Sequence, residues 1–199
     1  MSERYQIPGI IEESHAGVRE ISLYSKQFAK RRIFIFGTID DNAANDFLMQ
    51  FSYLEGESQE PVDIVINSNG GAIAAGLAIY DTIQASAVPV NLYCAGMAAS
   101  MAAVLLAGGQ KGRRFILPHS KVMIHEPLIR DGLGGSATSI HNISESIMET
   151  REIVNGILAK HTGHPIEEIH QTTAYDHYMN ATESVFFGIC DEIRNGVFK

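Results

Sequence analysis

VDIVINSNGGAIAAGLAIYDTIQASAVPVNLYCAGMAASMAAVLLAGG, residues 62–109, decides the architecture. The stretch contains one event twice: an apolar run of strand length, then glycine, then a helical pattern. VDIVIN (62–67) reads as a buried strand that ends in a tight Asn-Gly-Gly turn. AIAAGLAIYDTIQAS follows, with helical spacing through Ile73, Leu77, Tyr80 and Ile83. VPVNLYC (88–94) is the next strand, and AASMAAVLLAGG the next helix, stopped by its paired glycines. Upstream, RIFIFG (32–37) reads as a strand leading into the helical NAANDFLMQFSYLEG. Downstream, RRFILP and KVMIHEP are short apolar runs joined around Pro118. Such strand–helix–strand repetition predicts an α/β fold with a largely parallel sheet. Ile140, Ile143, Ile147, Val154 and Ile157 then form a stripe along a long helix, facing either the sheet or a neighbouring subunit. Two shorter helical pieces follow, near PIEEIHQ and TESVFFG. No repeat or linker divides the chain, so one domain over 1–199 is expected.

Composition narrows the function. Of 199 residues, 45% are hydrophobic and 19% charged, which is ordinary globular usage. No apolar run reaches the ~18 residues of a membrane span. The start, MSERYQIPGIIEESHAG, has the character of neither a secretory signal nor a transit peptide, so a bacterial cytoplasm is the expected location. A net charge of −8 argues against nucleic acid and anionic membrane as partners. Small basic clusters at 30–32 and 111–114 read as solvated turns or subunit contacts. Cys94 and Cys190 each lie among apolar residues and read as buried free thiols, with neither a disulfide framework nor a metal site implied.

Two glycine-rich strand ends carry the chemical candidates. In INSNGGAIAAG (66–76), glycine lets a ligand approach main-chain N–H groups, and the following helix N-terminus favours negative charge. A phosphate cradle, an oxyanion site or a plain turn would each read this way. In CAGMAASMAAV (94–104), Ser100 sits after a strand at a helix start, flanked by alanines that leave room beside its hydroxyl. A serine bonded back to the preceding turn fits the same letters. A nucleophilic serine needs a base, and eight histidines compete for that role. His161, His164 and His170 fall in HTGHPIEEIH, expected between helices and in solvent, without a metal-binding pattern. His15 lies in the N-terminal segment and His141 at the polar start of the long helix. His125 closes the strand KVMIHEP, where open α/β sheets build their sites. For the acid, Asp81, Asp131, Asp176 and Asp191 all remain open.

GMAASMAAVLLAGGQKGRRFILPHSKVMIHEPL (96–128), read with NSNGGAIAAGLAIYDTI (67–83), closely resembles the proteolytic subunit (ClpP) of the Clp protease family. The resemblance runs from Ile7 to the FFGICDEI segment. It implies a ClpP/crotonase-type α/β fold of repeated β-α-β units with a protruding handle helix in the region 128–160, and an axial loop segment at 1–19. The serine of the AASM motif maps to Ser100 as nucleophile, the histidine of MIHxP to His125 as base, and the aspartate to Asp176 in AYDHYMNATE. The backbone N–H groups of Gly70 and Met101 map to the oxyanion donors. The implied activity is serine endopeptidase cleavage of unfolded proteins through an acyl-enzyme. No cofactor or metal is implied in this subunit, since ATP is used by a partner AAA+ unfoldase such as ClpX, ClpC or ClpA. The implied assembly is a homo-oligomer of two stacked heptameric rings.

Several positions depart from that family. Asn69 replaces a proline, Asp63 and Val65 replace tyrosines of the ATPase docking pocket, and Ala174-Tyr175 replaces an Asp-Arg pair that couples ring stacking to activity. The handle region also reads as slightly longer. These point to an atypical paralogue that works in a mixed ring with a second Clp subunit. The alternatives are a crotonase-type acyl-CoA enzyme and a non-catalytic ring subunit.

Overall fold

The computed structural model describes residues 9–14, 17–128 and 134–198. Gly9–Ser14 (β1) and Gly17–Ser22 (β2) pair as an antiparallel hairpin, and Leu23–Phe28 (α1) leads from it to the main sheet. Then come Arg32–Ile39 (β3), Asp41–Glu57 (α2), Val62–Gly71 (β4), Ile73–Gln84 (α3), Val90–Ala99 (β5) and Met101–Ala107 (α4). Arg114–Ile116 (β6) and Lys121–Ile124 (β7) precede the long helix Ala137–Thr162 (α5). Ile166–Thr173 (α6), His177–Asn180 (β8), Ala181–Phe186 (α7) and Glu192–Ile193 (β9) complete the chain. The seven-stranded sheet runs β3-β4-β5-β6-β9, with β7 beside the end of β5 and β8 beside β7. Every pairing in it is parallel except β7 with β8. The α/β architecture expected from the alternating pattern is the one observed.

Two strands run further than their apolar letters. β4 continues through Asn-Gly-Gly to Gly71, and β5 continues to Ala99. Register shifts between Phe36 and Thr38 and between Ile66 and Ser68 absorb the mismatch. Gly37 (φ 75) and Gly70 (φ 85) take the left-handed backbone such bulges require. The Asn-Gly-Gly stretch is therefore a bulge that prolongs the strand, not a turn that ends it. β8 and β9 carry no apolar run; they form because β7 and β6 offer them free edges.

Burial follows from the pattern. Ile66, Cys94 and Ile116 face the helices across β4, β5 and β6 and are fully buried. All seven residues of α4 are buried, and three of them are alanine, which lets the helix lie close to the sheet. α5 differs: of its 26 residues only Val154, Asn155 and Leu158 are buried. Its first half carries Ile140 and Ile143, 39% and 37% exposed, so that part of the stripe faces outward. Residues 129–133 of the expected handle region, and 1–8, 15 and 16 of the expected axial segment, lie outside the described residues.

Candidate active site

Ser100 stands between the end of β5 and the first turn of α4 with φ 56 and ψ −126, a backbone that L-residues rarely adopt. The surroundings fix that strain in place. Its N–H donates to Met123 O on β7 at 2.8 Å, and its carbonyl accepts the N–H groups of Ala103 (2.9 Å) and Val104 (3.2 Å). The hydroxyl is thereby turned out of the helix, and its Oγ lies 2.9 Å from His125 Nε2. The hydroxyl is not bonded back to the preceding turn: its partner among the described residues is the imidazole.

Register brings the third group in. Ile124 on β7 pairs with His177 on β8, so His125, one residue beyond β7, meets Asp176, one residue before β8. The His125 Nδ1 to Asp176 Oδ1 distance is 3.5 Å. That is long for a charge-assisted hydrogen bond, and Nδ1 is buried without a hydrogen-bond partner among the described residues. The His125 side chain is 11% exposed, that of Asp176 55%. The other acids are elsewhere: Asp191 is bound to Arg114, Asp81 is exposed on α3, and Asp131 lies outside the described residues.

The two glycine-rich strand ends converge, with a shift of one residue. A Cβ built on Gly70 would stand 2.8 Å from Ser100 Cβ and 3.0 Å from Met101 N, so only glycine fits there. The Gly70 N–H, however, donates to Ser68 Oγ at 3.0 Å, and Ser68 Oγ donates in turn to Gly37 O at 2.5 Å. Gly71 is differently placed. Ile39 pairs with it in register and accepts from the next N–H, that of Ala72, at 2.8 Å. In a parallel ladder this turns the N–H of Gly71 away from β3, toward the end of β5. Gly71 lines the pocket at Ser100, together with Met101 and His125. The expected donor at Gly70 is thus corrected to Gly71, because Ser68 already engages Gly70. Met101 N–H belongs to the first turn of α4, where no intrahelical acceptor exists.

Apart from Glu126, the rest of the pocket is apolar: Ile73, Val104, Ile124, Pro127, Leu128, Val154 and Leu158. Val154 and Leu158 come from α5, whose stripe reads equally as sheet packing in the letters alone. α5 also reaches both loops of the site. Arg151 pairs with Glu126 at 2.8 Å, and buried Asn155 accepts from Thr173 Oγ1 at 3.3 Å. Thr173 O in turn accepts the Glu126 N–H at 2.7 Å, which ties the His125 strand end to the chain that leads to Asp176.

The remaining candidates have structural partners. Cys94 and Cys190 are buried free thiols; burial pushes Cys94 up to about 12 and Cys190 upward as well. The three histidines expected in solvent are tied down instead. His161 Nε2 lies 2.8 Å from Tyr80 OH, His164 pairs with Glu168 at 3.0 Å and stacks on Phe187, and His170 pairs with Glu152 at 3.3 Å. They sit where α5, α6 and α7 pack, which the letters HTGHPIEEIH do not disclose.

A family model described as Clp protease matches residues 14–196. The chain belongs to the Clp protease family. It is a ClpP-type protease, and its mostly parallel sheet with flanking helices is consistent with the ClpP fold. Membership implies, in general terms, a ring oligomer that works with a Clp ATPase.

Proposed function

We propose that this Clp protease is a serine endopeptidase that hydrolyses unfolded polypeptides through an acyl-enzyme on Ser100. The observation that carries this is the 2.9 Å contact between Ser100 Oγ and His125 Nε2, made by a serine held in a strained backbone. Ser100 Oγ attacks the peptide carbonyl while its proton passes to His125 Nε2. The tetrahedral intermediate collapses, the C–N bond breaks, and the amine leaves with that proton. Water then attacks the ester, His125 takes its proton, and Ser100 recovers it as the acid departs. The N–H groups of Met101 and Gly71 meet the oxyanion, typically the largest single catalytic contribution. Asp176 holds the imidazolium once the 3.5 Å separation shortens. The apolar pocket suits an apolar side chain next to the scissile bond.

The subunit needs no cofactor or metal of its own, ATP being consumed by an AAA+ partner. The outward-facing apolar residues of α5 support stacking of two heptameric rings through that helix, with a second Clp paralogue as ring partner. A fluorophosphonate probe tests the chemistry. Mapping should find it on Ser100, with Ser100→Ala unlabelled. An assembled particle without label at Ser100 would sink the peptidase reading, and saturable acyl-CoA binding would then favour the crotonase-type alternative.

A further inference from the structure

Where β3 and β4 approach the site, their pairing slips. It passes from Phe36–Asn67 to Thr38–Gly70, so Gly37 stands opposite two residues, Ser68 and Asn69. A bulge of this kind leaves backbone groups outside the ladder, and buried ones need other partners. One side chain serves both strands. Ser68 is 2% exposed; its hydroxyl donates to Gly37 O at 2.5 Å and accepts the Gly70 N–H at 3.0 Å. The short bond to Gly37 fixes where the hydroxyl proton points, so an oxygen lone pair faces Gly70. On the other side, Asn67 Oδ1 accepts the Met97 N–H at 3.1 Å and ties the start of the same bulge to β5.

The bond from Gly70 to Ser68 fixes the peptide plane between Asn69 and Gly70. Beyond that plane come two consecutive glycines, the least constrained backbone a chain can have. Gly70 has φ 85, and with the plane before it held, this residue sets the next plane, which carries the Gly71 N–H. The space around both is filled by main chain. A Cβ on Gly70 would strike Ala99 O and Ser100, and one on Gly71 would strike the Ile39 backbone. A small rotation of either plane therefore moves the Gly71 N–H relative to Ser100.

We propose that Ser68 is a positioning residue: by taking the Gly70 N–H, its hydroxyl holds the Gly70–Gly71 peptide so that the Gly71 N–H faces the oxyanion. The inference rests on the peptidase reading above and adds to it the group that aims one of the two donors. An oxyanion donor contributes most when nothing has to reorganise as charge appears. Without the hydroxyl, Gly37 O and the Gly70 N–H both lose their partner, and the glycine pair is free to turn toward other acceptors. The loss falls on the transition state. Ground-state binding belongs to the apolar pocket, where Ser68 takes no part.

The test is steady-state cleavage of a fluorogenic peptide by the full-length, assembled protein, with a peptide boronate as probe of the tetrahedral state. Ser68→Ala should lower kcat about 50-fold and leave KM within about twofold. The boronate should bind more weakly by about the same factor, because one of its oxygens takes the oxyanion's place. Ser68→Cys keeps the volume and weakens both bonds. It should lose about tenfold in the same pattern, and it decides the matter if Ser68→Ala does not assemble. Asn69→Ala, at the exposed neighbour, should keep kcat within about twofold. A kcat held within about threefold in the Ser68 variants, a loss carried by KM, or a lower kcat with boronate affinity unchanged would overturn the role. Fluorophosphonate labelling taken to completion separates the two readings. Unlabelled Ser100 in the unaltered protein takes down the peptidase and this role with it; full labelling beside unaffected Ser68 variants takes down this role alone.

Discussion

Arg114 and His125 each stand beside β5, at strands that pair with successive parts of its edge, but their polar surroundings differ. Arg114 is 3% exposed, and its whole fork is engaged. Nε and Nη2 reach the two carboxylate oxygens of Asp191 at 3.0 and 2.5 Å, while Nη1 donates to the carbonyls of Ala107, His161 and Gly188. Around His125 one side is engaged, by Ser100, and the other is open, with Nδ1 buried and 3.5 Å from an acid that is more than half exposed. A buried charge persists only when fully paired, so the Arg114 cluster fixes where α4, α5 and the last strand meet. In the proposed mechanism His125 takes and returns a proton, and such a group gains from the opposite arrangement: one firm partner and one that tightens as charge develops.

The largest way to break this contrast is at Asp176. Asp176→Asn should lower peptide turnover by about 10³–10⁴-fold, as expected for an acid that orients and stabilises the imidazolium. KM should change little, because Asp176 is absent from the pocket lining. A loss under about tenfold would mean that the 3.5 Å separation never closes, and that Asp176 is a bystander.

Next comes Arg114→Ala. It leaves Asp191 half-buried without its partner and should cost about 3–5 kcal/mol of stability. At about 2–4 °C per kcal/mol for a chain of this size, the melting temperature should fall by about 10 °C. The rate of Ser100 labelling at low temperature should hold. A stability loss below about 1 kcal/mol would put the clamp in the class of surface pairs.

Thr173 joins the two kinds of region, and a change there sharpens the contrast. Thr173→Val keeps the shape but leaves the buried Asn155 side chain unpaired, an expected loss of about 1–2 kcal/mol. Turnover should fall by a few-fold as the Glu126–Thr173 tie loosens, and Thr173→Ser should restore both. A stability loss with turnover unchanged would separate this link from the site.

What was legible in the letters tracks how local each cause is. Ser100 and His125 sit at the ends of apolar strands, so strand and helix periodicity alone placed them at one edge of a parallel sheet. Asp176 could not be told from Asp81, Asp131 and Asp191, because its place depends on β8, a polar strand held only by its register with β7. Family resemblance supplied it. The shift from Gly70 to Gly71 was out of reach for a similar reason: it turns on a bulge and on Ser68 bonding two residues ahead. The anchoring of His161, His164 and His170 was hidden because it arises where α5, α6 and α7 pack.

pH should give the smallest effect, and it divides the Arg114 cluster into two parts. Burial alone would raise the Asp191 carboxyl, but hydrogen bonds and charge from Arg114, with the Gly112 N–H, carry it below its ordinary 3.8. Its contribution to stability is complete above the unfolded value and is lost as pH falls through the lower folded value. His161 is held below 6.5, first by burial and then by Lys160 and Arg114. The unfolded chain therefore takes up that proton first, and stability begins to fall as pH drops below about 6.5. Two acid limbs are expected in denaturant titrations, a shallow one starting near pH 6.5 and a second below about pH 4. His161→Gln should flatten the upper limb and leave the lower. Arg114→Ala should flatten the lower limb in part, because Asp191 then loses the side-chain hydrogen bonds and charge that depress it and keeps only the two backbone N–H donors. An upper limb that survives His161→Gln would move that titration to another histidine, and a lower limb unchanged by Arg114→Ala would detach the acid response from the clamp.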